Sequence, residues 1–105
     1  MYLTSYLQEG ILTIALKGEI DHHCAKEFIQ AISSKIEAYT PKTCVLDFNE
    51  VQFMDSSGIA VVINALRNMT KIDGKLELTG LCQQPKKVFH TSGIDKLVEI
   101  KEEVL

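Results

Sequence analysis

The spacing of apolar residues changes period along the chain, and the order of those changes limits the fold more than any other feature. Leu12, Ile14 and Leu16 recur every second residue, with Thr13 and Lys17 on the other side, as in a strand with one buried face. Ala25, Phe28, Ile29, Ile32, Ile36 and Tyr39 then recur at three- and four-residue steps, opposite Lys26, Gln30, Ser34 and Glu37, as on an amphipathic helix. A short apolar run follows at Cys44-Val45-Leu46-Asp47-Phe48, a second helical stripe at Ile59, Val62, Ile63, Leu66 and Met69, and a second alternation at Leu76 to Thr79.

Punctuation residues set the boundaries. Tyr2 to Gln8 and Ile11 to Lys17 read as strands joined at Glu9-Gly10, most simply as a hairpin. Asp21 or His22 precedes a helix to about Tyr39, which Pro41 prevents from continuing. Cys44 to Phe48 is nearly continuous apolar sequence of the type buried inside a sheet. The second helix, Ile59 to Met69, ends near Asp73-Gly74, and Lys75 to Leu81 is a strand. Gln84-Pro85 starts a short third helix through Val88 and Phe89, Gly93 ends it, and Leu97 to Ile100 is the last strand. Strands alternating with helices after the first pair require crossover connections. The expected fold class is therefore α/β: a single domain over residues 1–105, with a mixed, mostly parallel sheet, an antiparallel first strand and a cover of about three helices.

At 105 residues and 46% hydrophobic, the chain can bury one core without staples. A net charge of -3 with scattered basic residues argues against nucleic acid or an anionic membrane as a direct partner. The start, Met1-Tyr2-Leu3-Thr4-Ser5-Tyr6, lacks a basic region followed by an apolar stretch, and no run approaches the roughly 18 apolar residues of a membrane span. A cytoplasmic location is expected. Cys24, Cys44 and Cys82 are odd in number and form no Cys-x-x-Cys pair, which favours reduced, partly buried thiols over metal ligands or a disulfide.

Phe53-Met54-Asp55-Ser56-Ser57-Gly58 closes an apolar strand segment and opens the helix at Ile59. Two hydroxyls thus sit where a helix leaves backbone N–H groups without intrahelical partners, a place that accepts a phosphate. The same residues also make an ordinary N-cap. A nucleophile elbow ranks below both, because Gly-x-Ser-x-Gly is not present at Ser56 or Ser57 and no acid and histidine follow in a convincing order. His22 and His23, with Cys24, can be imagined as metal ligands, but adjacent residues point in different directions and no second cluster completes a shell. Neither a metal nor a catalytic residue is expected. Asp21 reads as a cap of the first helix, Lys86-Lys87 as a solvated helix face, and Ser92-Gly93-Ile94 as a helix stop followed by a core contact.

Taken together, Gly18-Glu19-Ile20-Asp21-His22-His23 after a strand, Phe53-Met54-Asp55-Ser56-Ser57-Gly58-Ile59 before a helix and Val88-Phe89-His90-Thr91-Ser92-Gly93-Ile94 near the end resemble the anti-sigma factor antagonists of the STAS domain family. Order and spacing match along nearly the whole chain, and the paired histidines are most similar to the sporulation branch, with the general-stress antagonists as near neighbours. The resemblance implies a binding module without catalysis or cofactor of its own. Its unphosphorylated form would bind an anti-sigma factor serine kinase and make it release a sigma factor. The kinase, which holds ATP and magnesium, would then phosphorylate the second serine of the motif, here Ser57, and a PP2C-type serine phosphatase would restore the starting form. On this reading Asp55 orients the loop and the acceptor, Ser56 caps and makes contact, Gly58 allows close approach by the kinase, and Ile59 completes the contact surface. Asp21 and His22 share the rim. The alternative is a STAS module controlling a different kinase or phosphatase. Members of the family carry a further helix after the last strand, whereas Glu102-Glu103-Val104-Leu105 follow Lys101 here, so exposed apolar surface and a monomer or weak dimer are expected.

Overall fold

A computed structural model describes residues 2–102. Glu9 (φ 52°) and Gly10 (φ 80°) make a two-residue turn with both φ angles positive, the type I′ geometry whose twist matches that of paired strands. The turn joins β1 (Tyr2–Gln8) to β2 (Ile11–Lys17), antiparallel from Gln8 opposite Ile11 to Tyr2 opposite Lys17. Thereafter α1 (Ala25–Tyr39), β3 (Thr43–Glu50), α2 (Ser57–Lys71), β4 (Lys75–Thr79), α3 (Gln83–Ser92), a 3-10 turn (Ile94–Lys96) and β5 (Glu99–Lys101) follow in order. The strands lie side by side in chain order, β1-β2-β3-β4-β5, and β2 to β5 are parallel. The α/β class, the antiparallel first strand and, among the described residues, three α-helices agree with the fold the sequence predicts.

Each crossover steps one strand in the same direction, and right-handed crossovers that all step the same way put their helices on one side of the sheet. Burial follows this rule. Leu12, Ile14 and Leu16 of β2, Cys44, Leu46 and Phe48 of β3, and Leu76 and Leu78 of β4 are buried, whereas Thr13, Ala15, Val45, Asp47 and Glu77 between them are only half-buried. The expectation that Cys44 to Phe48 is enclosed within the sheet is thereby corrected: β3 alternates, with one face in the core and the other open. Charged pairs occupy that open face, Lys17 with Glu50 at 3.1 Å, Lys75 with Glu99 at 2.7 Å and Lys101 with Glu77 at 3.5 Å.

The helices depart from expectation in detail. Residues 22–24 form a turn before α1, which starts at Ala25, and α2 starts two residues earlier than apolar spacing suggests, at Ser57. The buried face of α2 is Gly58, Val61, Val62, Ala65 and Met69, while Ile59, Ile63 and Leu66 pack at the margin of the core. Gly58 and Ala65 carry too little apolar surface to register in a periodicity, yet they let the helix lie close. A polar seam joins α1 to α2, the Ser33 hydroxyl donating to Asn64 (3.1 Å) and accepting from the Asn68 amide (2.8 Å). The strand expected at Leu97 to Ile100 is instead β5 at Glu99–Lys101, because the 3-10 turn takes the preceding residues and leaves Leu97 exposed. Residues 103–105, in the short stretch that stands where family members carry a further helix, lie outside the described residues, and the expectation of a missing helix falls on them. Among the described residues no helix is long and apolar enough to cross a membrane.

Phe48 on β3 meets Phe89 on α3 edge to face, centroids 5.5 Å apart and planes at 85°, with both side chains fully buried. Phe48→Ala is expected to lower unfolding stability by about 3–5 kcal/mol in urea titrations. Ala15→Ser, on the open face, should stay within about 0.5 kcal/mol of the parent.

Candidate functional site

Beyond the ends of β2 and β3 the chain adds one more parallel pair, Ile20 with Met54. The Ile20 N–H donates to the Phe53 carbonyl (3.2 Å) and the Asp55 N–H donates to the Ile20 carbonyl (3.0 Å). Both side chains are fully buried, so the bridge ties two surface loops to the core at the same sheet end. One loop carries Asp21 and His22; the other carries Asp55 and Ser56 and enters α2.

Asp55 links the two loops through both carboxylate oxygens. Its Oδ1 accepts from the Ser57 N–H (2.8 Å) and its Oδ2 from the His22 N–H (3.3 Å), while the His22 Nδ1 lies 3.8 Å from the same Oδ2. The Ser57 N–H, opposed by partial burial and aided by the Ser57 hydroxyl and His22, holds the Asp55 carboxyl below the usual carboxylate range. Asp21 is held low as well: burial pushes it up, but the Cys24 thiol and the N–H groups of His23 and Cys24 outweigh it. The N–H bonds to Asp21 Oδ1 are 2.9 and 3.2 Å. Asp21 thus closes the turn that precedes α1 instead of capping the helix itself.

The start of α2 differs from expectation in three respects. Its first N–H groups are already partnered: Ser57 bonds to the Asp55 side chain, Gly58 to the Asp55 carbonyl (3.0 Å) and Ile59 to the Ser56 carbonyl (3.1 Å). Ser56, at the N-cap position, makes no side-chain cap bond, so its expected capping role is corrected; Asp55 performs it from one residue earlier. Gly58 is buried, and a Cβ there would stand 2.5 Å from the Met54 sulfur. The space it leaves is filled by the protein's own core, not kept for a partner. Ser57 is half-buried, Ser56 is exposed, and Ile59 is half-buried against the core.

Gln84 is a site residue that sequence reasoning missed. From the first turn of α3 its side-chain amide accepts from the Met54 N–H and donates to the Met54 carbonyl, both at 2.9 Å. The pair mimics a neighbouring strand and fixes the loop backbone from the side opposite Ile20. A glutamine at a helix start carries no distinctive pattern, so only the tertiary contact discloses it. Between α2 and α3, Ser56, Ile59, Gln84, Lys87, Val88 and Thr91 line a groove of about 390 Å³, mostly apolar in its walls and continuous with the Ser57 loop.

The His22 and His23 rings lie 4.0 Å apart, tilted by 38°. Among the described residues no three of His, Cys, Asp and Glu come together as metal ligands. All three cysteines are free, and burial pushes the Cys44 thiol up to about 12, so it is an inert core group. The arrangement as a whole is a pre-formed rim of hydroxyl, carboxylate and imidazole above an apolar groove.

Residues 2–104 match the STAS domain. The chain belongs to the STAS domain family. This STAS domain is 32% identical over 83 residues, 79% of the chain and 71% of its relative, to the anti-sigma F factor antagonist of Lysinibacillus sphaericus. It is 30% identical over 93 residues, 86% of the chain and 78% of the relative, to the anti-sigma-B factor antagonist of Listeria monocytogenes. Among solved structures it is similar to the anti-sigma factor antagonist SpoIIAA in its unphosphorylated form, with a TM-score of 0.84 at 26% identity, covering 98% of this chain and 89% of that one.

The two loops give this STAS domain testable mechanics. Gln84→Ala leaves the Met54 backbone groups without partners and should destabilise the fold by about 1–3 kcal/mol in denaturant titrations. Since Asp21 and Asp55 both titrate below their ordinary 3.8, their charged forms contribute stability that is present above that pH and lost as pH falls through the lower folded values. Thermal unfolding midpoints should therefore drop below about pH 4, and Asp55→Asn should make that drop shallower.

Proposed function

We propose that this STAS domain is an anti-sigma factor antagonist that works by partner switching, with Ser57 as its phosphorylation site. The observation that carries the reading is the position of Ser57, a half-buried residue that opens α2 beside a loop pair held by the Ile20–Met54 bridge, in a chain whose relatives bear that name. The unphosphorylated protein binds the anti-sigma factor, a serine kinase, which then releases its sigma factor. Phosphate on Ser57 ends the binding, and a PP2C-type phosphatase removes it. Nucleotide and magnesium belong to the kinase, and the domain itself catalyses nothing.

Electrostatics supports this assignment. A phosphate on Ser57 brings roughly -1.5 to -2 charge beside a carboxylate already kept ionised. The positive end of the α2 dipole offsets part of that charge, so the helix survives the modification. A partner surface fitted to a neutral hydroxyl meets repulsion and an added desolvation penalty. Asp21, His22, Asp55, Ser56, Ser57 and Ile59 form the contact rim, Asp55 orients the acceptor, and Gly58 keeps α2 seated on Met54. The paired histidines and the Lysinibacillus relative favour the sporulation branch; the Listeria relative, an anti-sigma-B factor antagonist, makes the general-stress branch the second reading.

The test is mass spectrometry of the protein incubated with ATP and its cognate anti-sigma kinase. One added phosphate on wild type and on Ser56→Ala, and none on Ser57→Ala, is expected. No phosphate on wild type beside an active kinase would refute the assignment. Ser57→Asp should weaken kinase binding about ten- to a hundredfold in titration calorimetry, while Ser57→Ala binds nearly as wild type.

A further inference from the structure

We propose that β1 is a docking edge for a second copy of this chain, the two β1 strands pairing antiparallel about a two-fold axis at Ser5. Among the described residues β1 has a strand neighbour only on the β2 side. In a type I′ hairpin the residues flanking the turn, here Gln8 and Ile11, form a hydrogen-bonded pair, and such pairs alternate with non-hydrogen-bonded ones along the ladder. Gln8, Tyr6, Thr4 and Tyr2 therefore direct their backbone groups at β2. Leu3, Ser5 and Leu7 direct theirs out of the sheet.

A second β1 laid antiparallel with Ser5 opposite Ser5 makes that pair hydrogen-bonded, and with it Leu3 opposite Leu7 and Leu7 opposite Leu3. The outward N–H and C=O groups of all three residues are then matched at once. The side chains agree with the same register. Leu3 and Leu7 share the face of their β2 partners Leu16 and Leu12, the helix-covered side, yet Leu7 is 46% exposed; the second copy's Leu3 would cover it. On the open face Tyr6, 61% exposed, meets Thr4, an aromatic and β-branched cross-strand pair.

No charge, proline or bulge interrupts Tyr2 to Gln8, although these are the devices by which sheet edges refuse another strand. An unrelated strand would satisfy the backbone groups, but the two leucines that stand symmetrically about Ser5, Leu3 and Leu7, meet each other only when the occupant is a second copy in this register. Seven residues at about 3.4 Å each give a strip about 24 Å long. That is small against the roughly 800 Å² per partner of stable interfaces, so the dimer is reversible and concentration-dependent. The inference is independent of the Ser57 reading, since β1 carries none of the loop residues.

Sedimentation equilibrium from micromolar to millimolar protein tests it. Wild type should show a monomer–dimer equilibrium, T4K/Y6K should remain monomeric with an unchanged circular dichroism spectrum, and T4K/Y6E, which sets opposite charges across the two-fold, should dimerise again. Amide hydrogen exchange on wild type gives a readout without substitution: protection at Leu3, Ser5 and Leu7 should rise with concentration, while Thr4 and Tyr6 stay protected throughout. A wild type that is monomeric at millimolar concentration, a T4K/Y6K variant that dimerises as wild type does, or concentration-independent exchange at those three amides would overturn the proposal.

Discussion

Two backbone hydrogen bonds between Ile20 and the Phe53–Asp55 segment hold the candidate site of this molecule together. They exist because β2 and β3 are adjacent and parallel, so both strands finish at the same end of the sheet and their loops can continue the ladder by one residue pair. With Ile20 and Met54 fully buried, the ladder anchors Asp55, and Asp55 in turn holds the Ser57 and His22 amides. Gln84 grips the same Met54 from α3. The site is thus over-determined from three elements before any partner arrives, and little ordering entropy remains to oppose binding.

That rigidity suits a switch that acts by charge. The groups that would feel a phosphate on Ser57 are surface carboxylates and a half-exposed helix start, while the core beneath is Met54 packed under Gly58. The N–H groups at the start of α2 are engaged by Asp55 and Ser56, so an added phosphate enters a place whose local bonds are already made. Under the proposed switch, like-charge proximity to Asp55 would act on the partner's side of the interface without requiring the domain to refold.

Much of this was readable from the chain, and the exceptions have physical causes. The alternation of Leu12, Ile14 and Leu16 and the stripe of Phe28, Ile32 and Ile36 each report one buried face, and their order along the chain is what implies parallel crossovers. Periodicity says nothing of which sheet face the crossovers cover, hence the open side of β3. It undercounts small residues, hence the misjudged face of α2, where Gly58 and Ala65 lie inward. At the site, Asp55 and Ser57 announce themselves as a helix-entry motif. The division of labour between Asp55 and Ser56 depends on a backbone turn, and Gln84 depends on a contact thirty positions away that no local pattern encodes.

The most direct test of the central claim, that this loop pair is where the partner docks, is a titration of isotope-labelled protein with its cognate anti-sigma factor, followed by amide chemical shifts. The account predicts that the perturbed amides cluster at residues 20–23, 54–59 and the groove side of α3, with the open face of the sheet unchanged. Perturbations centred on that open face or on the far ends of the strands, with residues 54–59 silent, would contradict it.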